Sequence, residues 1–212
     1  MKLLVFDTET TGLPKNNPSI YQTSEWPYIV QFSFLIYDTD FFKVCEEFDY
    51  IIKLPKHIPI PEESVAIHGI TKERSTKEGV PIKGVLEQFK QKLQECDIIV
   101  GHNISFDKRM VIVESIRNRF KTFFPSSPDK YYCTMKNTVD ICQIERINQT
   151  TNEAYFKYPT LSELFKKLFN RIPKGVHNSM IDVYASLICY IKLKYNKNLL
   201  TSDLNLSAHF NL

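Results

Sequence analysis

The chain opens with a stretch that decides the expected fold: Leu3-Leu4-Val5-Phe6-Asp7-Thr8-Glu9-Thr10-Thr11-Gly12. The apolar run at its start is typical of a central strand that is buried on both faces of a sheet. Because side chains alternate along a strand, Asp7 and Glu9 lie on one side and Thr8 lies on the other. Composition alone would give about two or three acidic pairs at this spacing, so the position of this pair carries the argument. Ligands of α/β sheets bind at the carboxyl ends of strands, where two carboxylates can hold a divalent cation.

The rest of the chain alternates strand and helix patterns. Further strands are predicted at 28–37, 41–53 and 97–100, with the turn Asp38-Thr39-Asp40 joining the first two as a hairpin. Helices are predicted at 62–67, 71–77, from 81 onward, 105–120, 160–169 and 178–194, whereas 121–134 is predicted as a loop. This order predicts one α/β domain, a mixed β-sheet flanked by α-helices. We expect this domain to span residues 1–195, followed by 196–212 as a C-terminal tail or a short helix packed on the domain.

Bulk composition narrows the class of protein. The 212 residues are 43% hydrophobic and 24% charged, which is ordinary for a globular protein. A net charge of +3 is too small for a protein that coats duplex DNA, but it allows contact with a short single strand. The five cysteines show no Cys-x-x-Cys spacing, which argues against a disulfide framework or a structural zinc site. Without a signal peptide or a long apolar run, the sequence predicts an intracellular, soluble protein of the cytoplasm or nucleus, with no membrane contact.

Two more acids and one histidine stand out. Asp107 lies in the first turn of a predicted helix, where the helix dipole alone would favour an acid, and Asn103 or Ser105 is expected to cap that helix. Asp182 lies in a helix that is apolar almost all round, and a buried carboxylate needs a partner, a proton or a metal. His177 precedes that helix and has the pKa range of a base that accepts a proton from an attacking water. The other histidines lack metal-ligand spacing and are expected to be structural or exposed: His57, His68, His102 and His209.

In these residues the chain resembles the DEDDh branch of the DnaQ-like 3′-5′ exonucleases. That branch includes the proofreading subunit of bacterial DNA polymerase III, ribonuclease T and the mammalian three-prime repair exonucleases. Three ordered motifs carry the resemblance, which covers roughly residues 2 to 190: Phe6-Asp7-Thr8-Glu9-Thr10-Thr11-Gly12, His102-Asn103-Ile104-Ser105-Phe106-Asp107, and the His-x4-Asp motif from His177 to Asp182. Three lesser features agree: Trp26–Gln31, Ile67–Thr71 and Tyr158–Leu164.

The resemblance implies a ribonuclease H-like fold and two divalent metal ions, Mg²⁺ or Mn²⁺. By the same resemblance, Asp7 bridges both metals, and Glu9 and Asp182 hold the metal that carries the nucleophilic water. Asp107 holds the other metal, and His177 is the general base. Attack on the last phosphodiester would release a nucleoside monophosphate. The family also implies contacts to the 3′-terminal nucleotide from a further set of residues: Thr10, Thr11, Gly12, Leu13, His68 and Phe106.

The sequence leaves the substrate and the partners open. The expected substrate is the 3′ end of single-stranded or frayed nucleic acid, with DNA favoured over RNA. One alternative is an exoribonuclease of the same family, and another is a non-catalytic module that binds 3′ ends or serves a polymerase. Because all four acids and the histidine are present, the non-catalytic alternative is discounted. A polymerase partner and a homodimer both remain open.

Overall fold

The computed structural model describes residues 1–202, and all structural statements here concern them. The strands are, in chain order, β1 (Lys2–Thr10), β2 (Ile29–Asp38), β3 (Lys43–Ile51), β4 (Ile98–Gly101), β5 (Tyr131–Cys133), β6 (Glu145–Ile147) and β7 (Ala154–Phe156). The helices are α1 (Glu62–His68), α2 (Lys72–Glu78), α3 (Ile82–Gln94), α4 (Ile104–Arg117), α5 (Val139–Cys142), α6 (Leu161–Phe169), α7 (Ser179–Tyr195) and α8 (Leu199–Ser202).

Five strands form one mixed sheet in the order β3-β2-β1-β4-β5. β1 is central: it pairs antiparallel with β2 and parallel with β4, and β4 pairs parallel with β5. The carboxyl ends of β1, β4 and β5 therefore meet at one edge of the sheet. The strand β1 continues beyond its apolar run to Thr10. Asp7 and Glu9 therefore both lie within the strand, close to its carboxyl end.

Helices cover both faces of the sheet. The side chains of Leu3 and Val5 pack with α7 and α6 on one face. The alternate side chains of Leu4 and Phe6 pack with α3 and α4 on the other face. This alternation places Asp7 and Glu9 on the α7 face and Thr8 on the α4 face. The predicted fold class, a mixed sheet flanked by helices, is confirmed.

Two sequence predictions about local structure are wrong. The stretch 121–134 is not all loop, because its last residues form β5 and extend the sheet beyond β4. A three-residue strand that follows Pro125 and Pro128 is too short to show a period. The α4 helix is not capped by a side chain: Asn103 adopts a left-handed conformation (φ 60°), and Ser105 Oγ donates to Asn103 Oδ1 at 3.3 Å.

The end of the chain is only partly described. The short helix α8 follows α7, and its first residue, Leu199, is buried in the core on the α7 face. The predicted tail from 203 to 212 lies outside the described residues, and the domain boundary at 195 stays a prediction. Within residues 1–202, none of the helices combines the length and the apolar character needed to cross a membrane.

Candidate active site

The acidic pair lies where two faces of the fold meet. Asp7 and Glu9 project from the last residues of β1 toward the amino-terminal end of α7. Ser179, the first residue of α7, donates its hydroxyl to the backbone carbonyl of Asp7 at 2.7 Å. This bond fixes the start of the helix against the strand, so the carboxylates of β1 face the first turn of α7.

Asp107 reaches the same edge of the sheet from the opposite face. It lies in the first turn of α4, and only 3% of its surface is exposed. Its Oδ1 accepts two hydrogen bonds from Thr8, one from the backbone N–H at 3.1 Å and one from the hydroxyl at 2.8 Å. Thr8 thus ties Asp107 to the strand that carries the acidic pair. The sequence pattern predicted only that Thr8 points away from that pair.

Asp182 and His177 come from the start of α7. The backbone N–H of His177 donates to Asp182 Oδ2 at 3.1 Å, while His177 itself adopts a left-handed conformation with φ 69°. Ligand atoms of Glu9, His177 and Asp182 all lie within 4.8 Å of one another, with His177 at the exposed end of the group. The α7 helix is capped by Asn178, whose Oδ1 accepts from Met180 N.

A buried polar network positions this helix start. Gln31 on β2 is 2% exposed, and its Oε1 accepts from the backbone N–H of Ser179 at 3.2 Å. Its Nε2 donates to Asp49 Oδ1 on β3 at 2.8 Å, and Asp49 Oδ1 also accepts from the Ser33 hydroxyl. In the sequence, Gln31 is notable only as the last residue of the lesser family feature Trp26–Gln31. The structure shows that it links α7 to β2 and to the edge strand β3.

All four carboxylates are destabilised as anions. Burial, together with the charges of Asp107, Asp182 and Glu9, raises the pKa of Asp7 well above its usual range. Burial also raises the pKa of Glu9 to about 8 and those of Asp107 and Asp182 to about 7. Four acids that repel one another at the end of a core strand fit a site that is built for cations.

One atom tests whether the residues suit a divalent cation. Asp182 Oδ1 is buried and has no hydrogen-bond partner among the described residues. An unpartnered buried carboxylate oxygen costs free energy unless a cation or a proton satisfies it. Glu9 and His177 have ligand atoms within 4.8 Å of Asp182, and hard oxygen donors suit Mg²⁺ or Mn²⁺. The donor set therefore fits, and this cluster is a candidate metal site.

Four residues predicted to contact the terminal nucleotide, Thr10 to Leu13, lie at the end of β1 and directly after it. Thr10 donates its hydroxyl to the carbonyl of Gly12 at 2.6 Å, and Gly12 has φ 144°, a conformation that side-chain-bearing residues rarely adopt. Leu13 follows and is strongly exposed. Thr11 is fixed to the start of β2, since its N–H donates to Tyr28 O and its hydroxyl accepts from Tyr28 N.

His68 and Phe106 flank this segment from two helices. His68 ends α1 and is buried; its Nδ1 accepts from Ile70 N, and its Nε2 has no partner among the described residues. Burial lowers the pKa of His68, and the charge of His177 acts in the same direction. Phe106 is half-buried beside the core on the α4 face. The nucleotide contacts predicted for these residues stay a prediction.

A further histidine has a structural role, in line with the sequence analysis. His102 Nδ1 lies 2.9 Å from Thr134 Oγ1, and its Nε2 lies 3.0 Å from the carbonyl of Pro159. Burial lowers the pKa of His102 to about 4, so the ring is neutral near pH 7. It joins β4 to the segments on either side of α5, β6 and β7.

Comparison with known proteins agrees with this geometry. The family model described as "Exonuclease" (RNase_T) matches residues 4–190 of this chain. No curated protein sequence matches the chain.

Solved structures of exonuclease I share the fold. The zinc-bound complex of E. coli exonuclease I with single-stranded DNA superposes with a TM-score of 0.66 at 20% identity, covering 92% of this chain and 41% of that chain. The complex of E. coli exonuclease I with a dT13 oligonucleotide gives 0.64 at 19% identity, covering 92% and 42%. A product-bound structure of exonuclease I gives 0.65 at 19% identity, covering 92% and 44%.

This chain thus spans less than half the length of those proteins, and at such identity the likeness shows the fold alone. The family model, in contrast, extends over most of the chain and includes every residue of the acidic cluster. The sequence resemblance and the ribonuclease H-like fold are confirmed. The chain belongs to the exonuclease family.

Proposed function

We propose that this chain is a metal-dependent 3′-5′ exonuclease that removes nucleoside monophosphates from the 3′ end of single-stranded or frayed nucleic acid, with DNA preferred over RNA. One observation carries the proposal: the buried, unpartnered Oδ1 of Asp182 in a cluster of four carboxylates with raised pKa values. Such a cluster is stable as anions only with cations between its members.

Four side chains of this chain would hold the metal ions. Asp7 lies between the charges of Asp107 on one face and of Asp182 and Glu9 on the other, which suits a ligand shared by two ions. When bound, two divalent cations would stabilise the attacking and leaving oxygens of the scissile phosphodiester. Thr8 holds the carboxylate of Asp107 in place through two hydrogen bonds.

His177 would move the proton. It lies at the exposed end of the cluster, with a ligand atom within 4.8 Å of those of Glu9 and Asp182. Its backbone bond to Asp182 Oδ2 fixes the residue next to the carboxylates, while the imidazole remains open to solvent. An imidazole in this place can accept a proton from a water that attacks the phosphorus and then release it to solvent.

Polarity and substrate are proposed from the family and from the fold. The segment Thr10–Leu13 leads from the strand that carries Asp7 and Glu9 to the strongly exposed Leu13, and by the family resemblance it would contact the terminal sugar and base. The 3′-5′ polarity is proposed from membership of the exonuclease family. The preference for DNA rests on fold likeness to exonuclease I, whose solved structures include complexes with single-stranded DNA.

The proposal is tested by digesting three 5′-labelled substrates: single-stranded DNA, duplex DNA with a mismatched 3′ end, and RNA of the same sequence. Each is incubated with Mg²⁺, Mn²⁺ or a chelator. We expect the labelled product to shorten one nucleotide at a time from the 3′ end, fastest on single-stranded DNA, and only with metal. Asp7→Asn should be inactive, whereas Asp129→Asn, which changes an exposed acid, should keep full activity. Cleavage in chelator, or immediate release of a labelled mononucleotide, would overturn the proposal.

A further inference from the structure

A hairpin between α5 and α6 exposes aromatic side chains to solvent. It consists of β6, β7 and the residues up to Tyr158, and is called here the 145–158 hairpin. Tyr155 is 51% exposed and Tyr158 is 56% exposed, and Ile147 and Phe156 are also exposed. Exposed apolar groups collected on one small element mark an interaction surface.

The hairpin is ordered by its own hydrogen bonds. Asn148 Oδ1 accepts from the backbone N–H of Thr150 and Thr151, which closes the turn between the two strands. At its base, Lys157 N donates to the carbonyl of Ile144 at 2.9 Å, and Lys157 Nζ binds both carboxylate oxygens of Glu163. A surface held in one conformation loses little entropy when a ligand binds.

His102 contacts both ends of the segment 134–159, which contains the hairpin. One ring nitrogen of His102 lies 2.9 Å from Thr134 Oγ1, just after β5, and the other lies 3.0 Å from the carbonyl of Pro159. His102 follows β4, five positions before Asp107. Tyr155 is four residues from Pro159, so it lies within about 15 Å of that contact. The base of the hairpin is therefore fixed at the carboxyl end of β4, the end from which the chain leads into α4 and Asp107.

The surface of the hairpin combines aromatic side chains with the guanidinium of Arg146. Arg146 and Tyr155 are paired across the two strands and so point to the same face. Arg146 has no ion pair with any described residue. Tyr155, Phe156 and Tyr158 line a shallow depression together with Val139 and the stem of Lys157. An aromatic ring beside an unpaired guanidinium offers a stacking surface for a base and a partner for its phosphate.

Basic residues outnumber acidic residues in the part of the sequence that contains the hairpin. Residues 130–174, which surround the hairpin, contain eight lysines and arginines against four aspartates and glutamates, a formal charge of +4. The whole chain carries only +3, so the other residues together sum to −1. The net positive charge of this chain thus lies in the sequence segment that contains the hairpin, and a positively charged segment attracts a polyanion.

We propose that the 145–158 hairpin binds the substrate strand on the 5′ side of its terminal nucleotide, with bases stacked on Tyr155 and Tyr158 and a phosphate held by Arg146. This inference rests on the proposed exonuclease function and adds a second contact region for the same strand. It gives the enzyme a grip on long single strands that a short oligonucleotide, held only at the carboxylates, cannot use.

The test compares substrates that do and do not reach the hairpin. Oligothymidylates of 3, 6, 9 and 15 nucleotides are digested with Mg²⁺ by the wild type, by the double variant Tyr155→Ala/Tyr158→Ala and by Arg146→Gln. The control is Phe41→Ala, which removes a ring that is 74% exposed, in the turn between β2 and β3 at the opposite end of β1. All the changed side chains are exposed, so thermal unfolding of each variant should match that of the wild type.

We expect the wild-type KM to fall as the oligonucleotide lengthens and then to level off. In the double variant kcat/KM on the 15-mer should fall about tenfold or more, the scale of losing one stacked base, with kcat/KM on the trimer unchanged. Arg146→Gln should lower the slope of log KM against log salt concentration by about 0.7, the value for one phosphate contact on a single strand. Phe41→Ala should change nothing.

Failure of this inference is distinguishable from failure of the proposed function. If the wild type degrades the oligonucleotides and the hairpin variants do so equally well at every length, the hairpin does not bind the strand and serves a protein partner instead. An equal loss on trimer and 15-mer would also overturn the inference. If the wild type cleaves none of them with Mg²⁺ or Mn²⁺, then the exonuclease proposal fails. Binding of the 15-mer to Asp7→Asn, with and without the hairpin substitutions, then decides the hairpin separately: an unchanged affinity overturns the inference, and a tenfold loss supports it.

Discussion

Replacing Thr8 by valine removes one hydrogen bond from the carboxylate cluster and changes little else. The threonine hydroxyl donates to Asp107 Oδ1 at 2.8 Å, and the backbone N–H of Thr8 donates to the same oxygen at 3.1 Å. Valine keeps the shape of the side chain, the β-strand preference and the backbone bond. The ionised form of Asp107 therefore loses one of two fixed donors, while the strand and the sheet remain as they are.

The size of the effect follows from the charge of the acceptor. A hydrogen bond to a charged group is worth about 1.5–3 kcal/mol, and 1.4 kcal/mol corresponds to a factor of ten in an equilibrium constant. The Thr8 bonds oppose the burial that raises the pKa of Asp107, so the loss of the hydroxyl bond favours the protonated form of Asp107, which is a poor ligand for a cation. We expect the metal concentration for half-maximal activity to rise about 10- to 100-fold in Thr8→Val, as for other residues that orient metal ligands.

The assay is the rate of single-stranded DNA digestion as a function of Mg²⁺ concentration at fixed pH. At saturating metal the kcat of Thr8→Val should approach the wild-type value. Thr39→Val is the matched control, because Thr39 is also buried and its hydroxyl donates to Met1 O at the opposite end of β1. An unchanged metal dependence in Thr8→Val, or an equal shift in Thr39→Val, would refute the assigned role of Asp107.

Three further predictions concern pH, the base and the nucleotide cradle. In chelator the pKa values of about 7 for Asp182 and about 8 for Glu9 exceed their unfolded values near 4, so the folded state binds more protons between pH 4 and 8. Its free energy of unfolding should therefore fall as pH rises through that window. Melting curves in chelator should show a lower Tm at pH 8 than at pH 5, and Mg²⁺ should restore the Tm at pH 8. A Tm that rises from pH 5 to pH 8 in chelator would contradict the burial of these acids. His177→Ala should slow the chemical step by about 10²–10⁴ while 3′-end binding is kept, and an unchanged pH–rate profile would argue against a base. Gly12→Ala, at φ 144°, should strain the cradle by about 1–3 kcal/mol and raise KM in kinetic assays. Gly84→Ala, in the first turn of α3 where an added Cβ meets no atom within 4 Å, should stabilise the fold by about 0.5–1 kcal/mol with KM unchanged.

The fold was predictable where side chains follow a period. The apolar start of β1, the β2–β3 hairpin and the apolar α7 all have periods that match their surroundings, and each is present within a few residues of its predicted bounds. The short strands were not predictable in the same way. β5 has three residues, and β6 and β7 are exposed on both faces, so burial imposes no alternation on their sequences.

The site was predictable for its carboxylates but not for the groups that hold them. Asp182 was predicted because a carboxylate in an apolar helix is buried and needs a partner, a proton or a metal. The structure shows that its Oδ1 is buried and has no hydrogen-bond partner among the described residues. Thr8 and Gln31 act through contacts between residues about 99 and 148 positions apart in the chain. Such contacts depend on tertiary packing and leave no local pattern. The left-handed conformation of Asn103, at the turn between β4 and α4, leaves the helix without the expected side-chain cap.

The central claim is that the unpartnered oxygen of Asp182 is a ligand of a catalytic cation. The most direct measurement is anomalous diffraction from crystals grown with Mn²⁺ and a nucleoside monophosphate. We expect two Mn²⁺ peaks about 3.5–4 Å apart, one of them bound by Asp182 Oδ1 and Glu9, the other by Asp107, with Asp7 between them. Crystals at saturating Mn²⁺ that show no anomalous peak within coordination distance of Asp182 Oδ1 would contradict the account.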